Sequence, residues 1–297
     1  MQATETKIYL LLACGIIVIS FAAIFINLAE APPAIIAFYR MGFSSILLTP
    51  LFLIKYRDKA SLFLDYRPAV VGLFLATHFI LWITAFEYTN IANAVIFVAM
   101  QPLFTLLLEV FFAREDLREG VIFGVIMALV GSVIISIGDI NMLFSKIWGD
   151  LLALAAAFFA GTYLFIGRRI REKIDYFPYI YVVYTYAAMF LGVFALLRGV
   201  SFTGYDNINY VYFLALAAGP TLFGHSVLNY SVRFVPTTIV SLSILGEPIF
   251  STVLAWIILG EKITFVTFIG GIFILTGIYW TTTQKQPEKR AAGQSSG

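Results

Sequence analysis

Ten runs of mostly apolar residues divide this chain, at 8–28, 33–54, 68–86, 90–113, 119–138, 151–167, 177–197, 209–232, 234–259 and 265–282. A helix needs about 20 such residues to cross a bilayer. The chain is 61% hydrophobic and 12% charged, with a mean hydropathy of +0.92. No water-soluble core of 297 residues buries that much apolar surface. Strands of a membrane barrel would alternate polar and apolar positions. Runs such as LLACGIIVIS and FIGGIFILTG do not alternate. The expected fold is therefore an all-α polytopic membrane protein of ten transmembrane helices.

The fourth and ninth runs carry the same interruption. One reads AMQPLFTLLLEVFFARE and the other LGEPIFSTVLAWIILGE. Setting Pro102 over Pro248 aligns them without a gap. Phe104 then meets Phe250, Leu108 meets Leu254, Glu115 meets Glu261, Gly124 meets Gly270, and Gly131 meets Gly277. The chain thus reads as two five-helix repeats, 1–138 and 148–283, joined by an outer loop at 139–147 and followed by a polar tail at 284–297. Lys and Arg concentrate on one side, among them Lys55, Arg57, Lys59, Arg67, Arg168, Arg169 and Arg171. The other side receives only Lys146, Arg198 and Lys262. The positive-inside bias then puts both termini in the cytoplasm. Because each half has an odd number of helices, the second enters from the opposite side. The repeats are inverted about an axis in the membrane plane, and such a chain can form two mirror-related states, the requirement for alternating access.

Several function classes fall away. Hydrophilic domains, nucleotide-binding loops and nucleophile elbows are absent from the sequence, so neither ATP coupling nor soluble-enzyme chemistry is expected. An intramembrane enzyme would need a nucleophile, and a channel would place its pore between subunits. No basic stripe suggests nucleic acid. Cys14 is single, which excludes an internal disulfide. The first run is too long for the apolar region of a cleaved signal. No HxxxH or HExxH spacing offers a metal site, and no cofactor is expected.

The segments AFYRMGFSSILLTPLFL, AFEYTNIANAVIFVAMQP, WGDLLALAAAFFAGTYLFIGRRI, GEKIT and GGIFILTGIYW occur in an order and spacing that resemble the drug/metabolite transporter superfamily, specifically its EamA-type members. The resemblance covers roughly residues 7–282. It implies two repeats around a central cavity and a secondary active or facilitative transporter, in many cases an exporter, of small metabolites. Amino acids, aromatic ones included, and drug-like organic cations are the implied solutes. The implied location is the plasma, or inner, membrane.

Polar residues at depth are the candidates for the solute site, because ionisable groups in a bilayer face a cavity or a partner. Glu247 stands beside Pro248 where the first repeat has Gln101. It reads either as a protonatable or amine-binding carboxylate, with protons as a candidate coupling ion, or as a structural carboxyl. Pro102 and Pro248 remove hydrogen bonds to the carbonyls of Val98 and Ile244, which then need new partners. The prolines are candidate gates. Ser241 and Ser243 line the cavity or bond back to their own helix. Arg40 reads as a structural charge that must pair or snorkel. His78 is a solute or proton ligand, or a core imidazole bonded to a carbonyl; His225, one residue from Gly224, the repeat mate of His78, carries the same alternatives. Trp82, Phe97 and Tyr163 lie level with the breaks, and Ala160 and Gly161 are expected to open space before Tyr163. The solute-binding set is thus His78, Trp82, Phe97, Gln101, Tyr163, Ser243 and Glu247, with lipid as the surrounding partner. Small residues at Gly120–Gly124–Ala128 and Gly270–Gly271–Gly277 read as close helix contacts, compatible with a monomer or a weak homodimer.

Overall fold

The computed structural model describes residues 2–113, 119–140, 144–171, 174–231 and 243–283. It is helical, with no strand among the described residues. Helix α1 spans Gln2–Leu28, α2 Pro33–Lys55 and α3 Tyr66–Ala85, with a short 3₁₀ segment, Arg57–Leu64, between the last two. The fourth run is split into α4, Ile91–Val98, and α5, Gln101–Ala113. Next come α6, Glu119–Ile140, α7, Phe144–Arg171, and α8, Tyr176–Leu197. The eighth run is α9, Asn207–Leu216, a π-helical stretch Ala217–Gly224, and α10, His225–Ser231. The ninth resumes as α11, Gly246–Leu254, and ends in a π turn, Ala255–Leu259; α12 is Phe265–Thr283. Helices α6 and α7 run into the expected 139–147 linker, to Ile140 and from Phe144.

Six helices are long and apolar enough to cross a membrane, and four shorter apolar ones, at Ile91–Thr105, Ile122–Ile134, Gly246–Leu259 and Phe265–Trp280, complete the ten runs. Large apolar side chains lie on the outside of the bundle, including Leu10, Ile46, Leu53, Val193 and Trp256. So much exposed apolar surface suits a lipid environment.

The pairing of helices follows the sequence register. α3 packs on α7, and their repeat mates, the eighth run and α1, pack on each other. α3 packs on α8, and the eighth run packs on α2. α4 and α5 meet α7, and α11 meets α1. Three further pairs, α2 with α8, α4 with α11 and α6 with α12, are their own mates. An approximate two-fold axis relating the halves produces this pattern, as inverted repeats require.

At α6–α12 the symmetry reaches individual atoms. A Cβ on Gly131 would lie 2.5 Å from the Gly270 carbonyl oxygen, and one on Gly277 would strike the carbonyl of Gly124. These four glycines are the aligned pairs of the two halves. Their backbones touch directly, so van der Waals packing rather than apolar transfer holds the helices together.

At one end of the bundle, Asn90 caps α4 by accepting the Asn93 N–H at 2.7 Å. Gly260, at φ +69°, ends the ninth run in the left-handed conformation that glycine adopts without strain. The chain there turns Glu261 back to the first amide of α4, whose Ile91 N–H lies 3.0 and 3.1 Å from its two oxygens. Burial pushes the Glu261 carboxyl up, while the Ile91 amide and Lys146 draw it back. The second half thus caps a helix of the first.

Gly277→Val is expected to destabilise the bundle by about 1–3 kcal/mol through overpacking. Gly42 in α2 has nothing within 4 Å of an added Cβ, so Gly42→Ala serves as the tolerated control. Thermal unfolding in detergent checks both.

Candidate functional site

The two aligned breaks have the same local construction. Pro102 and Pro248 lie in the first turns of α5 and α11 rather than in helix interiors, where a missing N–H is tolerated. Before each, the backbone tightens. The Met100 N–H donates to the Phe97 carbonyl at 3.1 Å, and the Leu103 N–H to the Met100 carbonyl at 2.9 Å. The Glu247 N–H donates to the Ile244 carbonyl at 2.9 Å. The Ile244 carbonyl, which needs a new partner because of Pro248, accepts this bond from its own chain. Ser20 of α1 braces the same turn. Its hydroxyl donates to the Ile16 carbonyl at 2.8 Å and lies 3.4 Å from the Glu247 carbonyl, while Ser251 donates to the Ser20 carbonyl at 3.1 Å.

A third break falls in the eighth run. Pro220 cannot donate to the Leu216 carbonyl, and the Thr221 hydroxyl does so instead, at 2.9 Å. The same oxygen accepts the Arg40 Nε–H at 2.9 Å. Arg40 is only 2% exposed. Its guanidinium lies over the Phe79 ring, 4.4 Å from the centroid, and 5.8 Å from that of Trp82. Trp82 stacks on His78 at 6.0 Å. His78 donates its Nδ1–H to the Ala156 carbonyl of α7 at 3.0 Å, leaving Nε2 as the acceptor nitrogen.

A compact group of charges results. Glu247 at the start of α11 and His225 at the start of α10 both interact electrostatically with Arg40, and His225 also with His78. Glu247 and Arg40 make no direct ion pair; the ion pairs among the described residues are Lys59–Asp58 and Arg67–Asp65. Opposite charges are held near each other inside the bundle without contact.

The candidates fall into two neighbourhoods. His78 and Trp82 lie in the charge cluster, with Tyr163 half-buried against the apolar core that contains Trp82. Phe97, 2% exposed, belongs to a separate apolar cluster with Ala128, Ala153, Ala157, Ile274 and Ile278. Gln101 is half-buried at the head of α5, and Ser243 half-buried just before the turn that leads into Glu247. Ser241 is outside the described residues. Gly161 does not open space before Tyr163. Its bare Cα lets α7 approach α5, so an added Cβ would lie 2.9 Å from the Gln101 carbonyl and 3.0 Å from the Phe104 Cβ.

Two polar groups escaped sequence reading. Thr221 is the partner of Arg40, and the Gly219–Pro220 pair was the available sign of its break. Asp150, 2% exposed at the head of α7, accepts from the Thr89 hydroxyl at 2.9 Å and the Asn93 amide at 3.3 Å. Asn93 in turn accepts from Thr267 at 3.0 Å. This network joins α4, α7 and α12 near the Glu261 cap.

Known proteins with the same organisation give the arrangement a context. The profile described as the EamA-like transporter family matches residues 6–137 and 147–283. An uncharacterized transporter of Archaeoglobus fulgidus is 29% identical over 295 residues, covering 95% of this chain and 99% of its own. A second from that organism is 26% identical over 272 residues, covering 88% and 92%. The uncharacterized transporter YxxF of Bacillus subtilis is 23% identical over 231 residues, covering 76% and 72%. A solved crystal structure superposes with a TM-score of 0.64 over 94% of this chain and 98% of its own, at 18% identity, a likeness of fold.

Thr221→Val removes both the acceptor for Arg40 and the donor to Leu216. It is expected to cost about 1–3 kcal/mol by stranding buried polar groups. Ser132→Ala, which removes one exposed bond to Leu129, is expected to leave the melting point unchanged. Parallel melting curves in detergent make the comparison.

Proposed function

The chain belongs to the EamA-like transporter family, and from that premise we propose that it exports a small amine-bearing metabolite, an amino acid with an aromatic or bulky side chain, by alternating access. The observation that carries this reading is Glu247. It is a carboxylate at a helix break, within electrostatic reach of Arg40, where the first repeat has a neutral amide. An ammonium placed on Glu247 would put its side chain toward Trp82 and Tyr163, whose ring faces attract cations and bury apolar groups. Gln101, Ser243 and His78 supply neutral hydrogen-bonding groups, and Phe97 backs the α4 end of the break. The competing structural reading of Glu247, a carboxylate stabilised by the amides of its own helix start, makes no demand on the solute.

The energy source is an ion or solute gradient, with protons exchanged on Glu247 as the candidate coupling. The asymmetry of Lys and Arg supports cytoplasmic termini in the plasma membrane of the cell. The α6–α12 glycine contact is internal to one chain, which supports a monomer as the working unit.

Glu247→Gln keeps the shape and removes the charge. In proteoliposomes it is expected to lose the pH dependence of amino-acid flux and its preference for amines, with folded yield retained. An unchanged pH profile and unchanged solute preference would make the carboxylate structural. A drug-like organic cation transported in preference to any amino acid would shift the solute class and keep the role of Glu247.

The breaks have their own test. Pro102→Ala and Pro248→Ala restore an amide N–H at each break, and each is expected to slow flux about tenfold or more if the broken ends must move. Uptake at the wild-type rate in both, at equal protein, would remove the prolines from the gating step.

A further inference from the structure

Two buried hydrogen-bond donors in the charge cluster have no acceptor among the described residues. One is the Arg40 Nη1 group and the other the Trp82 indole Nε1–H. Arg40 is 2% and Trp82 4% exposed. An unpaired guanidinium N–H in an apolar interior is costly, and so is an unpaired indole N–H. The two belong to groups in contact, since the guanidinium carbon is 5.8 Å from the centre of the Trp82 ring. Nε of Arg40 is already held by Thr221, and its face by Phe79. The fork is thus fixed in position with one arm unused.

We propose that Arg40 Nη1 and Trp82 Nε1 form the anion subsite of the solute site, binding a carboxylate through one N–H bond from each. A carboxylate presents two acceptor oxygens and no donor, which matches two unpartnered donors on neighbouring side chains. The charge pattern agrees. Glu247 attracts Arg40 without touching it. A zwitterion placed between them sets its carboxylate on Arg40 and its ammonium toward Glu247, and so neutralises both. Arg40 then acts as a selectivity residue as well as a strut on Thr221. This inference deepens the reading of the cluster as a solute site and rests on it only for the location.

The test uses the purified full-length chain in nanodiscs and two probes that separate the charges. 3-Phenylpropanoate carries the carboxylate without the amine, and 2-phenylethylamine the amine without the carboxylate. Binding is read by calorimetry. Trp82→Phe keeps an aromatic ring beneath Arg40 and removes the N–H with the second ring; Arg40→Gln removes the charge. Both variants are expected to weaken 3-phenylpropanoate by about tenfold or more and 2-phenylethylamine by no more than about twofold. If Arg40→Gln fails to fold, Trp82→Phe decides alone. The proposal is overturned if 3-phenylpropanoate does not bind the wild type, if the variants bind it unchanged, or if both probes weaken equally, as loss of a strut would cause. Because this assay needs neither flux nor an amine, absence of amino-acid transport would overturn the proposed function and leave the anion subsite standing.

Discussion

Inside hydrocarbon, every backbone amide and carbonyl must find a partner within the protein. That constraint makes the described residues helical with no strand, and it governs each place where a helix stops. The breaks at Pro220 and Pro248 and the chain end before α4 are each repaired by a different device. At Pro248 the backbone tightens onto the Ile244 carbonyl and Ser20 of α1 leans in. At Pro220 a π-helical stretch forms and the Thr221 hydroxyl replaces the missing amide. At the start of α4, Glu261 arrives from the other repeat. Each repair draws a polar group into the interior, so the interruptions collect the polar chemistry of the molecule.

Arg40 shows how one repair becomes the anchor of another group. Thr221 satisfies the Leu216 carbonyl with its single hydrogen, and its remaining lone pair receives Arg40. The guanidinium then rests on Phe79 and Trp82, and Trp82 on His78. The imidazole ends at a carbonyl of α7. Helices from both repeats, α2 and α3 on one side and α7 and the eighth run on the other, are joined through this single chain of contacts. A proline placed 180 positions after Arg40 thereby determines where a positive charge rests.

Much of the fold was legible because membrane helices declare themselves by length, and because the Pro102/Pro248 register needed no gap. The small-residue series on α6 and α12 read as close helix contacts, without naming each other as partners. Depth could also be counted along a helix, which placed His78, Trp82 and Glu247 near one level. Facing could not. Segments apolar all round carry no amphipathic stripe, so nothing in the run containing Phe97 distinguished the charge cluster from the neighbouring apolar cluster in which it packs. Pairings such as Arg40 with Thr221, or Asp150 with Thr89 and Asn93, join residues at no characteristic spacing. They follow from which helices become neighbours. Gly161 was misread for the same reason: a small residue makes room, and only the neighbour decides whether the room stays open or is filled by backbone.

The reciprocal glycine contacts also bear on energetics. An interface that the two-fold operation carries onto itself has the same energy in a conformation and in its mirror image. Gly131 against Gly270 and Gly277 against Gly124 therefore contribute nothing to the difference between the two. Under the proposed alternating access they would act as a degenerate fulcrum. Any resting preference for one side must come from positions without an equivalent mate, such as Glu247 opposite Gln101, or Asp150, whose mate is Thr4. Under the proposed alternating access, the few mismatched residues would set the equilibrium, and the many matched ones only its stability.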